Sequence, residues 1–448
     1  MKQADTQTDH YLSEFARFGK EISRKEPSYL GALRRKALER FADLKFPTTR
    51  DEEWKYTSVA PIAGTPFRVD TSRKPNGISR QDLEHALFGG LECTLLVFVN
   101  GHYAPELSHH RPLPDGVKAG SLAEFLEREP GLVEPHLARH ARFEDQAFVA
   151  LNTAFLRDGA FIHVPRRKVL SEPIHLLFVT TGNGTPPVSH PRNLIVVEEG
   201  SQAAVVENYV TLMGGAYFTN AVTEVVAGAS SVVDHCKLQR EGEEACHVAT
   251  LQSHLDRSSR FTSHAITLGG ALVRNDVNSV LDAEGAECVL NGLYLAVGCQ
   301  HMDNHTFIDH ARPNGSSREF YKGVLAGASH GVFNGKILVR KDAQKTDAKQ
   351  TNKNLLLSEA ALVDTKPQLE IHADDVKCTH GATVGQLDDD ALFYLRSRGI
   401  GEDKARSLLV HAFASDIVER IPVEPIRTGL ECELVTRLPV GIESRGIP

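Results

Sequence analysis

Small-residue turns recur through the middle of this chain at a near-constant interval, and that interval limits what it can fold into. Glu199-Gly200-Ser201, Ala227-Gly228-Ala229, Arg257-Ser258-Ser259 and Glu284-Gly285-Ala286 each separate two apolar runs, with centres about 28 residues apart. Gly327-Ala328-Ser329 and Ser358-Glu359-Ala360 continue the series less regularly. Each unit reads strand, short turn, strand, as in Leu194–Val197 followed by Ala203–Glu207. One such unit cannot bury both of its faces, whereas stacked neighbours enclose a continuous aliphatic core. The strands of a sandwich or jelly roll recur at a shorter interval, about 8–12 residues. The spacing therefore predicts a mainly β chain built around a β-solenoid, with the sandwich as the competing architecture.

Helical patterns flank that core. From Pro27 to Phe46, Leu30, Leu33, Ala37, Leu38, Phe41 and Leu44 fall at three- and four-residue spacing, and Pro47 stops the run. Thr48 to Gly90 is mixed and holds the single Trp, within Asp51-Glu52-Glu53-Trp54-Lys55-Tyr56-Thr57. Cys93–Asn100 is an apolar strand closed by Asn100-Gly101. Ser121–Phe155 reads as helical, and from Phe161 to Asp388 the runs are short and β-like. Asp388-Asp389-Asp390 then supplies a helix N-cap, Ala391–Arg398 follows, and Gly399 ends it. Glu402–Ile421 sets Ala405, Leu408, Leu409, Ala412, Phe413, Ile417 and Ile421 on one face, before a Pro- and Gly-punctuated surface tail from Val423. The expected division is an N-terminal helical domain (1–90), a β-helix core (91–387) and a C-terminal helical domain with its tail (388–448).

Charge and motif content exclude several functions. Lys+Arg total 50 against 58 Asp+Glu, a net charge of −8, so the basic footprint of a nucleic-acid binder is missing. No run approaches the ~18 apolar residues of a membrane span. Met1–His10 has no apolar export stretch. Seven cysteines form neither an even set nor a disulfide framework, so a reducing cytoplasm is the expected location. The phosphate loop, the paired glycine fingerprint, His-Glu-x-x-His and Cys-x-x-Cys are all absent. Gly182-Asn183-Gly184-Thr185-Pro186-Pro187 is a loop whose prolines spoil a phosphate cradle.

Two constellations carry candidate chemistry. In Cys299-Gln300-His301-Met302-Asp303-Asn304-His305, a strand would put His301, Asp303 and His305 on one face. They would form either a transition-metal site or a hydrogen-bonded polar ladder without metal. In His372–Gly381, Cys378 and His380 stand two apart and would share a strand face. A thiolate with an imidazole suits iron, zinc or an iron–sulfur cluster, but two donors do not complete a shell. A buried small Cys beside a structural His reads equally well. Lys345–Asn354 reads as a solvated loop between coils. Cys236/Cys246 and Cys288/Cys299 flank turns and read as buried thiols. Asp303 and Asp309 are the one tempting carboxylate pair for a solitary β-helix glycan-cleaving enzyme. A metal-dependent hydrolase built on His301, Asp303 and His305 is the other enzymatic alternative.

The run from Ala343 to Ile400 resembles the SufB/SufD family of iron–sulfur cluster assembly proteins. The resemblance lies in Ala343-Gln344-Lys345-Thr346-Asp347-Ala348, Gln350–Ser358, Pro367-Gln368-Leu369-Glu370-Ile371, Asp374–Gly381 and Leu392–Ile400. Glu53–Thr57, Gln300–His305 and Phe333-Asn334-Gly335-Lys336-Ile337 also fit, so the likeness spans most of the chain. It is closer to SufD-type members. SufB-type sequences place a Cys where this chain has Thr351, and a His-Glu pair where it has His380-Gly381. The resemblance implies a right-handed parallel β-helix flanked by helical segments. It implies a non-enzymatic accessory scaffold subunit in a complex with SufB and the ABC-type ATPase SufC. It sets His380, with Cys378 nearby, at the SufB–SufD interface as donors to a transient iron–sulfur cluster that the isolated chain does not bind. It assigns the helices from about Ala391 to Ile421, with Leu408, Leu409 and Phe413, to docking SufC. A homodimer of the isolated chain is compatible with it, and neither nucleic acid nor membrane is an expected partner.

Overall fold

The computed structural model describes residues 2–20, 27–70, 77–182 and 184–437. The protein is mainly β, with 40% strand and 24% helix, and its centre is a β-solenoid of about 8 turns. The alternation of apolar runs and turns translates directly into coils, each contributing one strand to each of two parallel sheets. One sheet runs through Arg192–Val197, Tyr217–Ala227, Ala245–Leu255, Leu272–Leu281, His301–His310, His330–Val339 and Leu362–Ile371. The other runs through Ile174–Thr180, Gln202–Thr211, Val232–Arg240, Arg260–Thr267, Glu287–Ala296, Ser316–Leu325, Asp347–Leu356 and Lys377–Gly385.

The recurring turns resolve into two different corners. At one corner each coil turns through a left-handed residue: Arg167, Gly200, Ser230, Ser258, Gly285, Asn314 and Lys345, with φ of 54–71° and spacings of 27–33 residues. Their backbone N–H groups donate up the stack, Ser230 to Arg257 O at 2.8 Å and Ser258 to Glu284 O at 2.9 Å. The turns at Gly327 and Ser358 lie on the opposite corner, where Ala328 N donates to Gly298 O at 2.7 Å. A Cβ on Gly327 would sit 2.9 Å from Gly298 N, so that corner needs its glycine. The series is irregular along the sequence because its members belong to two corners.

Strand alternation sorts the side chains into an enclosed core and two outer faces. Val205, Val233, Phe261, Cys288, Leu290, Ile308 and Ile337 fill the core. The outer face of the first sheet is covered by the N-terminal segments, through Phe41, Phe67 and Phe148 against Phe218, Val222 and Val248. The outer face of the second sheet is covered by the C-terminal helices, through Val410, Ala414, Ile417 and Ile421 against Leu238, Ile266 and Val324. Asp388 caps the helix Asp389–Ser397 by accepting from Asp390 N at 2.9 Å and Ala391 N at 3.1 Å, and Gly399 follows with φ 85°.

Several expectations are corrected. Lys345–Asn354 is not a loop: Asp347–Leu356 is a strand, whose Gln350, Asn352 and Asn354 are buried. Ser121–Phe155 breaks into the short helices Leu122–Arg128, Pro130–Val133 and Ala147–Ala154, with Pro130 at the start of the second. The chain from Val423 is not simply a surface tail: Glu424–Arg437 is a helix that buries Ile426, Leu430 and Leu434, and only its continuation, 438–448, lies outside the described residues. Gly429 hid this helix in the sequence, yet a Cβ there would stand 2.5 Å from the Phe88 ring, so close packing calls for glycine. Cys236, Cys246 and Cys288 are buried, but Cys299 is exposed, because it sits in a corner turn.

Candidate functional site

The solenoid ends in an uncovered coil. Lys377–Gly385 pairs on one side with Asp347–Leu356 and is the terminal strand of its sheet. It is almost wholly exposed, and the strand Leu362–Ile371 beside it is at most half-buried. Leu362, Ile371 and Val384 stand in solvent at this end. An open strand edge of this kind carries unpaired backbone donors and acceptors and is a template for another chain.

Cys378 and His380 lie on that last strand, in register with Ala348 and Gln350. Cys378 packs against the enclosed core, so its face of the strand continues the solenoid interior, and His380, two residues on, shares that face. Cys378 is half-buried and His380 is exposed. Burial pushes the Cys378 thiol up from its ordinary value. The structure thus brings the two expected donors together at an open surface. Thr351 faces the other way: its neighbours in register are Phe320 and Gly381, and alternation sets it opposite Gln350.

Sequence reasoning missed what lies beneath them. Glu319, Gln350 and His380 form one column through three successive strands. Gln350 Nε2 donates to Glu319 Oε2 at 2.8 Å inside the core. Burial pushes the Glu319 carboxyl up to about 7. The polar Gln350, Asn352 and Asn354 looked like loop residues, and only their two-residue spacing hinted at a shared face.

His301, Asp303 and His305 do share a face, and it is the outer one. There they hold the segment around Trp54. Thr57 Oγ1 donates to Asp303 Oδ2 at 2.5 Å and lies 2.8 Å from His301 Nε2, which must then be the protonated nitrogen. His305 bridges Asp303 at 3.1 Å and Glu53 at 3.5 Å. Arg274 reaches Asp303 at 2.7 Å and Asp276 at 2.8 Å, with Trp54 packed over its guanidinium. Burial would raise Asp303, but the Arg274 guanidinium outweighs it and holds the carboxyl well below the usual range. Burial lowers His301 to about 4. The geometry is that of a docking ladder. Asp309 is likewise claimed, by Arg340 at 2.6 and 2.9 Å, so the two aspartates do not form a glycosidase pair.

The C-terminal residues divide. Leu408 is exposed and Leu409 half-buried, whereas Phe413 turns toward the solenoid and packs on Lys322. Phe393 and Tyr394 are strongly exposed on the preceding helix. No helix among the described residues is long and apolar enough to cross a membrane.

The family model described as the SUF system FeS cluster assembly SufBD core domain matches residues 178–413, and that of the SufBD protein N-terminal region matches 5–176. An iron–sulfur cluster assembly SufBD family protein of Synechocystis is 33% identical over 91% of this chain and 90% of its own length. The iron–sulfur cluster assembly protein SufD of Escherichia coli is 34% identical over 88% of this chain and 90% of its own. The protein of the same name from Bacillus subtilis is 27% identical over 94% and 95%.

Proposed function

Because this chain belongs to the SufBD family of iron–sulfur cluster assembly proteins, we propose that it is the accessory, SufD-type half of a scaffold completed by SufB. The nascent cluster is the cargo, held at the seam between the two. The observation that carries this reading is the uncovered last coil, with Cys378 and His380 on the face that continues the core. Two donors leave a shell of about four incomplete, so a partner strand laid against Lys377–Gly385 would supply the rest. Thr351, standing where SufB-type sequences place a Cys, fits a chain that is not the sulfur acceptor. Arriving iron would itself deprotonate the thiol. A second copy of this chain could occupy the same edge when SufB is absent.

SufC docks, on this reading, on the exposed apolar residues Phe393, Tyr394 and Leu408 at the C-terminal helices. ATP-driven closure of SufC would then strain the seam and shift the population in which His380 is accessible. Thiol labelling of Cys378 in the full complex tests this: labelling indifferent to ATP sinks it.

The deciding experiment is reconstitution with SufB and SufC. His380→Ala should keep the melting temperature and slow cluster formation by at least ~10-fold; normal formation refutes the site. Leu362→Lys with Val384→Lys should abolish capture of SufB while stability moves by less than ~0.5 kcal/mol per site; undiminished capture refutes the seam. Leu408→Asp should weaken capture of SufC alone.

A further inference from the structure

We propose, resting on the reading of His380 as a cluster ligand, that Gln350 is its positioning residue and that Glu319 fixes Gln350 from beneath. The side-chain carbonyl of Gln350 accepts the N–H of one ring nitrogen of His380. That bond selects the tautomer and leaves the other nitrogen's lone pair for iron.

Four observations carry the assignment. The three residues occupy one column, Glu319 opposite Gln350 and Gln350 opposite His380, on adjacent parallel strands. Rungs of such a ladder lie about 4.8 Å apart, within reach of an imidazole. Gln350 is 2% exposed, its Nε2 is committed to Glu319 at 2.8 Å, and its Oε1 has no hydrogen-bond partner among the described residues. A buried carbonyl left without a donor is costly, so an N–H from the next rung stabilises both. Finally, the space for this amide is built in. A Cβ at Gly335 would lie 1.9 Å from Gln350 Nε2, so the opposite sheet keeps glycine there.

Glu319 determines which way round the amide sits. Gln350 Nε2 donates to Glu319 Oε2, which leaves the carbonyl as the end of the amide still open to the N–H of His380. No ion pair to Glu319 exists among the described residues, so no cation competes for that bond. A metal-bound histidine ordinarily needs such an acceptor on its other nitrogen to fix ring orientation and basicity.

The test uses the full chain with 15N-labelled histidine, the His380 signals being those lost in His380→Gln. Wild type should show one tautomer at His380. Gln350→Met should move it to the mixture of free histidine, and Gln350→Glu, which restores an acceptor, should recover it. Glu319→Gln is isosteric and lets the Gln350 amide sit either way round, so it should relax the tautomer without unfolding the chain. In the reconstituted complex, Gln350→Met should slow cluster formation ~10-fold or more, with recovery in Gln350→Glu. A single tautomer retained in both Gln350→Met and Glu319→Gln overturns the proposal. So does normal assembly by Gln350→Met where His380→Ala fails, and that result leaves the ligand reading standing. Normal assembly by His380→Ala overturns the ligand reading and the proposal together.

Discussion

Arg274 lies in a pocket where its side chain is 3% exposed, between Asp276 and Asp303 and under Trp54. Removing one member of a buried pair strands the other charge, which costs more than the pair itself contributes. Arg274→Met should therefore destabilise the protein by ~3–5 kcal/mol in urea unfolding; a loss within error would mean that Asp303 finds another partner. Glu319 acts in the opposite sense. Its folded-state pKa, about 7, lies above the unfolded carboxylate value, so the folded state binds the proton more tightly and stability falls as pH rises between the two. Glu319→Gln should raise the melting temperature at pH 8 and raise it less at pH 5. Equal gains at both pH values would show that the carboxyl is not strained by ionisation. A group that weakens the fold at neutral pH is expected at a working site, because local rules are broken where function needs them.

At the scale of the coil, the corner column decides which residues are tolerated. Gly285 and Ser258 occupy equivalent left-handed positions, with φ of 71° and 54°. A β-branched side chain there meets the following carbonyl. Gly285→Val should cost about 1–2 kcal/mol or more, whereas Ser258→Gly should be neutral or slightly stabilising, both read by thermal unfolding. Equal effects would refute the corner as the source of the interval. The terminal strand Lys377–Gly385 differs from its neighbours in having no coil beyond it, and its exposed Val384 takes the place of a residue that inner coils bury. Pairing with another chain removes such an edge, which is why the seam is argued at this level and not from Cys378 and His380 alone.

For the whole molecule, burial of neutral histidines sets the acid limit. Burial lowers His175 and His190 to about 3, and His264, His301 and His310 to about 4. A depressed folded-state pKa means that the unfolded chain binds more protons below about 6.5, so stability is full above that pH and is lost as pH falls toward 4. A pKa lowered by one unit corresponds to about 1.4 kcal/mol, so several such groups together draw heavily on a typical folding free energy of about 5–15 kcal/mol. The protein should unfold cooperatively between about pH 6 and 4 with net proton uptake; a folded state persisting at pH 4 would contradict this. The sequence by itself determined the coil interval, the helical flanks, the Asp388 cap and the likeness that pointed to Cys378 and His380, because turn chemistry, apolar period and motif spacing are local. Only the tertiary structure decided that the His301 ladder holds the N-terminal segment, that Phe413 is spent on packing, and that Gln350 is interior. Those facts depend on which face of a strand meets which neighbour, and a two-residue alternation reads identically from either side.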